Sequence, residues 1–115
     1  MEIVETKQGN ITVLALHGEL MGGDEAQPFQ QRIYEAVENE QCNIILDMEH
    51  VKWMNSSGLG MIMGALTTLR SGGGDLCLIN VSDRVRRPVE VTRLDSVIKM
   101  YDSMDEAAAS FSEEE

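Results

Sequence analysis

Two adjacent serines, Ser56 and Ser57, are the residues of this 115-residue chain whose type and spacing best suit chemistry. They lie in the stretch WMNSSGLG (53–60), directly before an apolar segment that begins a helical pattern. A serine oxygen at a helix start can cap the helix by accepting a backbone N–H, which contributes about 1 kcal/mol. It can also accept a phosphate, because the amide groups and partial positive charge of a helix start tolerate negative charge. Spacing alone favours the cap.

The remaining polar side chains do not form a recognisable catalytic or metal site. No serine, histidine and aspartate have a spacing that indicates a hydrolase triad, and no lysine follows the glycines of the serine stretch, as a phosphate-binding loop would require. Asp47, Glu49 and His50 imitate a metal cluster but lack a fourth ligand, and His17 falls in a strand. We therefore expect a protein that is not an enzyme and that binds no metal.

Charge and composition restrict the partners. The net charge of −11 argues against nucleic acid and against anionic membranes, because phosphates would be repelled. The strongest apolar stretch, Leu59 to Leu66, is too short to cross a bilayer, and the first ten residues lack the pattern of a signal peptide. These features predict a cytoplasmic protein. The length predicts one domain, residues 1–112, followed by an acidic frayed tail, residues 113–115.

Alternating strand-like and helix-like segments must position the serines. A hairpin turning at Gly9 and Asn10 opens the chain, and its second strand, apolar on both faces, is expected to be central. We expect Asp24 to cap the first helix and Pro88 to shorten or delay the third. The pattern predicts an α/β fold of order ββαβαβαβα, with the hairpin at 2–18, helices at 24–38, 57–70, 84–93 and 103–111, and later strands at 43–48, 75–81 and 96–101.

Nearly the whole chain resembles the STAS domain of bacterial anti-sigma factor antagonists. The stretch from ILDMEHVKWMNSSGLG to DSMDEAAASF (45–111) carries the likeness, and HGEL (17–20) resembles the family's early glycine-containing turn. The most specific element is SSGLG, which follows a strand and a loop and opens a helix. The resemblance implies a STAS-type α/β sandwich, with a mixed sheet, helices packed largely on one face, and no catalysis by this chain.

The same resemblance implies a partner switch. The unphosphorylated protein would bind an anti-sigma factor that is also a serine kinase, and this binding would release a sigma factor. The kinase would phosphorylate the second serine, Ser57, rather than Ser56, and a phosphatase of the PPM type would reverse the modification. ATP belongs to the kinase, so no cofactor is implied, and we expect a monomer. The alternative is a STAS subunit of a transport or stress-signalling scaffold complex without phospho-switching; a small ligand-binding module and an enzyme fit less well.

The expected docking surface surrounds Ser57 and combines the loop before the second helix, the start of that helix and the GELMGG turn. One departure concerns Asn55, because the family commonly has Asp at this position; Asn keeps the size and the capping ability but loses the charge. The four arginines 84, 86, 87 and 93 are interpreted as a solvated helix face, with a second contact patch as the alternative. The residues expected at the docking surface are Met21, Gly22, Trp53, Met54, Asn55, Ser56, Ser57, Gly58 and Leu59. For Met21, Trp53 and Met54 the alternative is packing beneath the loop, with Met54 nearer the core.

Overall fold

Five strands and four helices make up the protein in a computed structural model that describes residues 1–112. The acidic tail expected at 113–115 lies outside the described residues. The order ββαβαβαβα is confirmed. The elements are β1 (Glu2–Gln8), β2 (Ile11–His17), α1 (Ala26–Glu38), β3 (Asn43–His50), α2 (Ser56–Ser71), β4 (Asp75–Ile79), α3 (Asp83–Val91), β5 (Lys99–Tyr101) and α4 (Met104–Ser112).

The strands form one mixed sheet in the order β1-β2-β3-β4-β5. β1 and β2 form the antiparallel hairpin, whose turn includes Gly9 at a φ of +64°. β2 to β5 run parallel. β2 lies inside the sheet between β1 and β3, as its two apolar faces predict, but the central strand is β3. Because parallel strands end at the same edge of a sheet, the connections β2–α1, β3–α2 and β4–α3 all begin at that edge. This is where ligand and partner contacts of open α/β sheets are commonly found.

The core lies on both faces of the sheet, but the helices are unevenly divided. The larger cluster includes Phe29 and Ile33 of α1, Ile62 and Leu66 of α2, and Val85 of α3, packed on the sheet. On the opposite face α4 alone covers the strands, through Ala107 and Phe111. The expectation of helices packed largely on one face is therefore confirmed.

α2, α3 and α4 start within one residue of the prediction, whereas α1 starts two residues later than expected. α1 begins at Ala26 with Glu25 rather than Asp24 at the N-cap position, and the Glu25 side chain makes no cap hydrogen bond. α3 begins at Asp83, capped by the Ser82 side chain, and contains Pro88. The proline is tolerated because its fixed φ suits a helix and the helix ends three residues later, so α3 is short but does not begin late.

Three strands also differ in length. β3 continues to His50, which was expected in a loop, because His50 pairs with His17 of β2 across an irregularity in the register. β4 ends at Ile79, two residues earlier than expected. β5 is only three residues long, since a 3₁₀ turn, Leu94–Ser96, precedes it. None of these differences moves the start of α2, where the serine pair lies.

Candidate functional site

Ser56 and Ser57 are the first two residues of α2, and both are exposed. The N-cap residue is Asn55, whose extended backbone and side-chain oxygen fit that role. Its Oδ1 accepts a hydrogen bond from Gly58 N at 2.8 Å. The expectation from spacing that a serine caps this helix is thus wrong, because the residue before the pair already does so. Within residues 1–112, neither serine hydroxyl has a hydrogen-bond partner in the protein.

Asn55 also ties α2 to the β2–α1 loop. Its Nδ2 donates a hydrogen bond to the carbonyl oxygen of Met21 at 3.1 Å. One amide side chain therefore uses its acceptor on the helix and its donor on the loop. An aspartate could keep the first bond, but a carboxylate has no hydrogen to donate to the second. The structure thus gives Asn55 a hydrogen bond that an aspartate at this position could not make.

Backbone contacts between the two loops reinforce this connection. Leu20 and Met54 form an isolated parallel bridge: Leu20 N donates to Trp53 O at 3.1 Å, and Asn55 N donates to Leu20 O at 3.2 Å. Gly58 lies against this bridge, because a Cβ there would come within 1.9 Å of the Leu20 carbonyl oxygen. The glycine after the serine pair therefore serves close packing and allows the start of α2 to touch the β2–α1 loop.

The β2–α1 loop reaches the serine itself through Gly22. Gly22 has a φ of +76°, and a Cβ built there would lie 2.5 Å from Ser57 Cβ. The carboxylate of Glu25 holds this loop in shape by accepting hydrogen bonds from Met21 N at 2.5 Å and Gly22 N at 2.8 Å. These backbone hydrogen bonds, that from Met21 first, hold the pKa of Glu25 below its ordinary value. Ser57 is thus flanked by a loop with a defined conformation.

The expected docking surface is only partly available to a partner. Met21 and Trp53 are 37% and 42% exposed, whereas Met54 is only 2% and Leu59 only 6% exposed. Gly58 is buried as well. Met54 and Leu59 belong to the hydrophobic core beneath the loop. The prediction that their side chains contact a partner is therefore corrected, because a buried side chain offers little contact area. The expected contact residues that remain exposed or half-buried are Met21, Gly22, Trp53, Asn55, Ser56 and Ser57. We call this candidate set the revised docking surface.

Arg84 lies beside this surface and contacts Trp53, a pairing that the sequence did not predict. The guanidinium carbon of Arg84 lies 5.8 Å from the centre of the Trp53 ring, within cation–π range. Arg84 stood out only as part of a basic segment. No local pattern connects it to Trp53, because Trp53 lies in the β3–α2 connection and Arg84 in the first turn of α3.

The polar residues that imitated a metal cluster are used in other ways. Asp47 Oδ1 accepts hydrogen bonds from Glu49 N at 3.1 Å and from the Asn80 side chain at 3.0 Å. His50 stacks on His17, with ring centres 4.3 Å apart. In the described part of the chain no group of three or more metal-binding side chains converges. These residues lie outside the revised docking surface.

The arrangement limits what Ser57 can do chemically. A nucleophilic serine needs a base within hydrogen-bond reach, and no such base is bonded to Ser57 among residues 1–112. An exposed hydroxyl at a helix start is instead suited to accept a group delivered by another protein. No helix within the described range has the length and apolar character needed to cross a membrane.

The architecture defines a small α/β domain with a mixed five-stranded sheet and a serine-bearing helix start at the carboxyl edge of its parallel strands. The STAS domain family model matches residues 2–107. The chain therefore belongs to the STAS domain family.

Relatives and solved structures agree with this family. The anti-sigma F factor antagonist of Paenibacillus polymyxa is 28% identical over 94 residues, which are 81% of this chain and 80% of that protein. A crystal structure of a candidate anti-sigma factor antagonist from Thermotoga maritima superposes with a TM-score of 0.87 at 24% identity, covering 95% of this chain and 93% of the other. The Bacillus cell fate determinant SpoIIAA in its phosphorylated form superposes with a TM-score of 0.73 at 24% identity, covering 95% and 97%. At these identities the two superpositions concern the fold alone.

Proposed function

We propose that this protein is an anti-sigma factor antagonist whose docking surface is switched by phosphorylation of Ser57. The unphosphorylated form binds an anti-sigma factor that is also a serine kinase, and this releases a sigma factor. The observation that carries the proposal is that the Ser57 hydroxyl is exposed and is not needed to cap α2, because Asn55 already caps it. The names of the relatives support the partner class, since the Paenibacillus polymyxa protein is called an anti-sigma F factor antagonist.

The proposed modification needs nothing from this chain except the hydroxyl and its position. Ser57 Oγ attacks the γ-phosphorus of ATP held by the kinase, the hydroxyl proton passes to a base of the kinase, and ADP leaves. The N-terminal end of α2 accommodates the product, because helix N-termini favour negative charge. A phosphatase of the PPM type transfers the phosphoryl group to water and restores the hydroxyl.

The added phosphate acts on the docking surface by desolvation. A phosphoserine carries about −1.5 to −2 charges at neutral pH. It would lie between Gly22 and the first turn of α2, where a partner seated on the exposed Met21 and Trp53 would cover it. A buried charge left unpaired costs roughly 2–5 kcal/mol, which weakens binding by about 30- to 4000-fold. The switch therefore needs no conformational change in this protein.

Intact mass spectrometry tests the modification. The protein is incubated with ATP and each purified serine-kinase anti-sigma factor encoded in the same genome. We expect one kinase to add a single phosphoryl group, which Ser57→Ala abolishes. Ser56→Ala is the matched control, because it removes the neighbouring hydroxyl at the same helix start and should leave phosphorylation in place.

Binding to the same kinase tests the consequence. Ser57→Asp should weaken the complex and Ser57→Ala should preserve it. The proposal is wrong if both variants bind as the wild type does, or if no kinase modifies Ser57. Stable capture of a transporter or scaffold protein without any phosphorylation would favour the alternative of a STAS subunit in such a complex.

A further inference from the structure

Trp53 and Arg84 form an exposed pair beside the revised docking surface. Trp53 lies in the β3–α2 connection and Arg84 in the first turn of α3, and their cation–π distance is 5.8 Å. Both connections leave the carboxyl ends of neighbouring parallel strands, so the pair belongs to the same sheet edge as Ser57. A tryptophan that is 42% exposed has apolar area to offer a partner.

The net charge of α3, which carries Arg84, is opposite in sign to that of the whole protein. α3 carries three arginines, Arg84, Arg86 and Arg87, against the two carboxylates Asp83 and Glu90, in a chain with a net charge of −11. Within residues 1–112, no carboxylate oxygen lies within 4 Å of these three guanidinium groups. The basic charge at this place is therefore not neutralised by short ion pairs inside the described protein.

We propose that Trp53 and Arg84 bind a carboxylate-bearing segment of the partner protein and extend the docking surface onto α3. This inference rests on the proposed function, because it assigns chemistry to the partner of the same surface. A guanidinium presents a planar fork of donors that matches a carboxylate, and contact with the indole ring limits the rotamers of Arg84 before a partner arrives. Tryptophan and arginine are also the residue types that contribute most at protein interfaces.

The negative charge of the rest of the chain favours a protein partner over a nucleic acid. A nucleic acid strand extending beyond the arginines would meet a strongly acidic protein and be repelled. A short acidic segment needs only the local patch. Complementary charge of this kind mainly raises the association rate and fixes the orientation of the partner.

Trp53 is the only tryptophan of the chain, so its fluorescence reports on the pair directly. The probe is an acetylated and amidated hexaglutamate peptide at low ionic strength, with hexaglutamine as the uncharged counterpart. We expect a saturable change in emission with hexaglutamate alone. Arg84→Glu should weaken this binding by about fivefold or more, because it removes an exposed ion pair worth up to about fivefold and places a repulsive charge beside the peptide. The variant should fold, since an acid in the first turn of α3 suits the helix dipole.

Lys99→Glu is the matched control, because it makes the same change in net charge at an exposed position on β5. Lys99 pairs with Cys77 in the middle of β4, whereas Trp53 lies beyond the carboxyl end of β3. Absence of hexaglutamate binding, or an equal loss in Arg84→Glu and Lys99→Glu, would overturn the proposal. So would tighter, Arg84-dependent binding of a single-stranded oligonucleotide, which would assign the patch to nucleic acid. The titration involves no phosphorylation, so its failure would leave the Ser57 switch standing, and a failed switch would leave the titration standing.

Discussion

Gly22 and Ser57 approach each other so closely that a Cβ atom on Gly22 would lie 2.5 Å from Ser57 Cβ. The contact joins the β2–α1 loop to the start of α2 at the proposed phosphate acceptor. Since Gly22 also has a positive φ, two independent reasons exclude a side chain at this position.

Gly22→Ala should therefore displace the loop and destabilise the protein by roughly 1–3 kcal/mol, through backbone strain and the collision with Ser57. Urea denaturation measures the loss. The same substitution in a Ser57→Gly background should cost less, because the colliding Cβ is absent there. Equal costs in the two backgrounds would show that Gly22 and Ser57 do not interact.

Asn55 provides a graded test of the bond between α2 and the loop. Asn55→Asp keeps the cap on Gly58 N but loses the donor to Met21 O, and Asn55→Ala loses both bonds. We expect stability to fall in the order wild type, Asn55→Asp, Asn55→Ala, with a total loss of about 2 kcal/mol for the alanine variant. Hydrogen exchange of the Met21 and Gly22 amides should accelerate in both variants. An unchanged exchange rate in Asn55→Asp would contradict the role given to the amide donor.

Glu25 gives the protein a predictable response to acid. Its carboxylate accepts backbone hydrogen bonds in the folded loop, which lowers its pKa below the value it has in the unfolded chain. A lowered folded pKa means that the stabilisation is complete above the unfolded pKa and is lost as the pH falls through the folded pKa. Thermal unfolding of Glu25→Gln should depend less on pH in the acidic range than that of the wild type. Glu38→Gln, at an exposed position on the same helix, should follow the wild-type profile.

Two glycines of α2, only two residues apart, should respond to alanine in opposite directions. A Cβ at Gly58 would collide with the Leu20 carbonyl oxygen at 1.9 Å, whereas a Cβ at Gly60 would meet no atom within 4 Å. Gly60→Ala should stabilise the protein by about 0.5–1 kcal/mol, because alanine loses less backbone entropy in a helix. Gly58→Ala should be strongly destabilising by comparison. Chemical denaturation of the two variants decides this, and a similar effect of both would refute the packing assigned to Gly58.

Local patterns were sufficient to predict most of the fold. Helical and strand periodicity predicted every element in order, and the start of α2 within one residue, because each segment carries a regular apolar pattern. One error arose where several side chains compete for one role. Asn55 and the two serines are all good capping residues, and the sequence does not show which of them captures the Gly58 amide.

The contacts that define the candidate site could not be predicted in the same way. Gly22 with Ser57 and Trp53 with Arg84 are pairs distant in sequence, brought together because parallel strands deliver their loops to one sheet edge. The burial of Met54 has the same origin, since its bridge to Leu20 turns the side chain into the core. Such contacts depend on tertiary packing that no local pattern encodes.

The Leu20–Met54 bridge gives the sheet edge a short extra ladder beyond the main strands. The Asn55 side chain is hydrogen-bonded to Met21 O in one loop and to Gly58 N at the start of α2. These bonds hold the two loops in one arrangement around Ser57. A kinase that phosphorylates Ser57 and a phosphatase that removes the phosphate would then bind the same surface, so the two enzymes would compete for it. Regulation of the protein would accordingly lie in the relative abundance of the two enzymes rather than in its own flexibility.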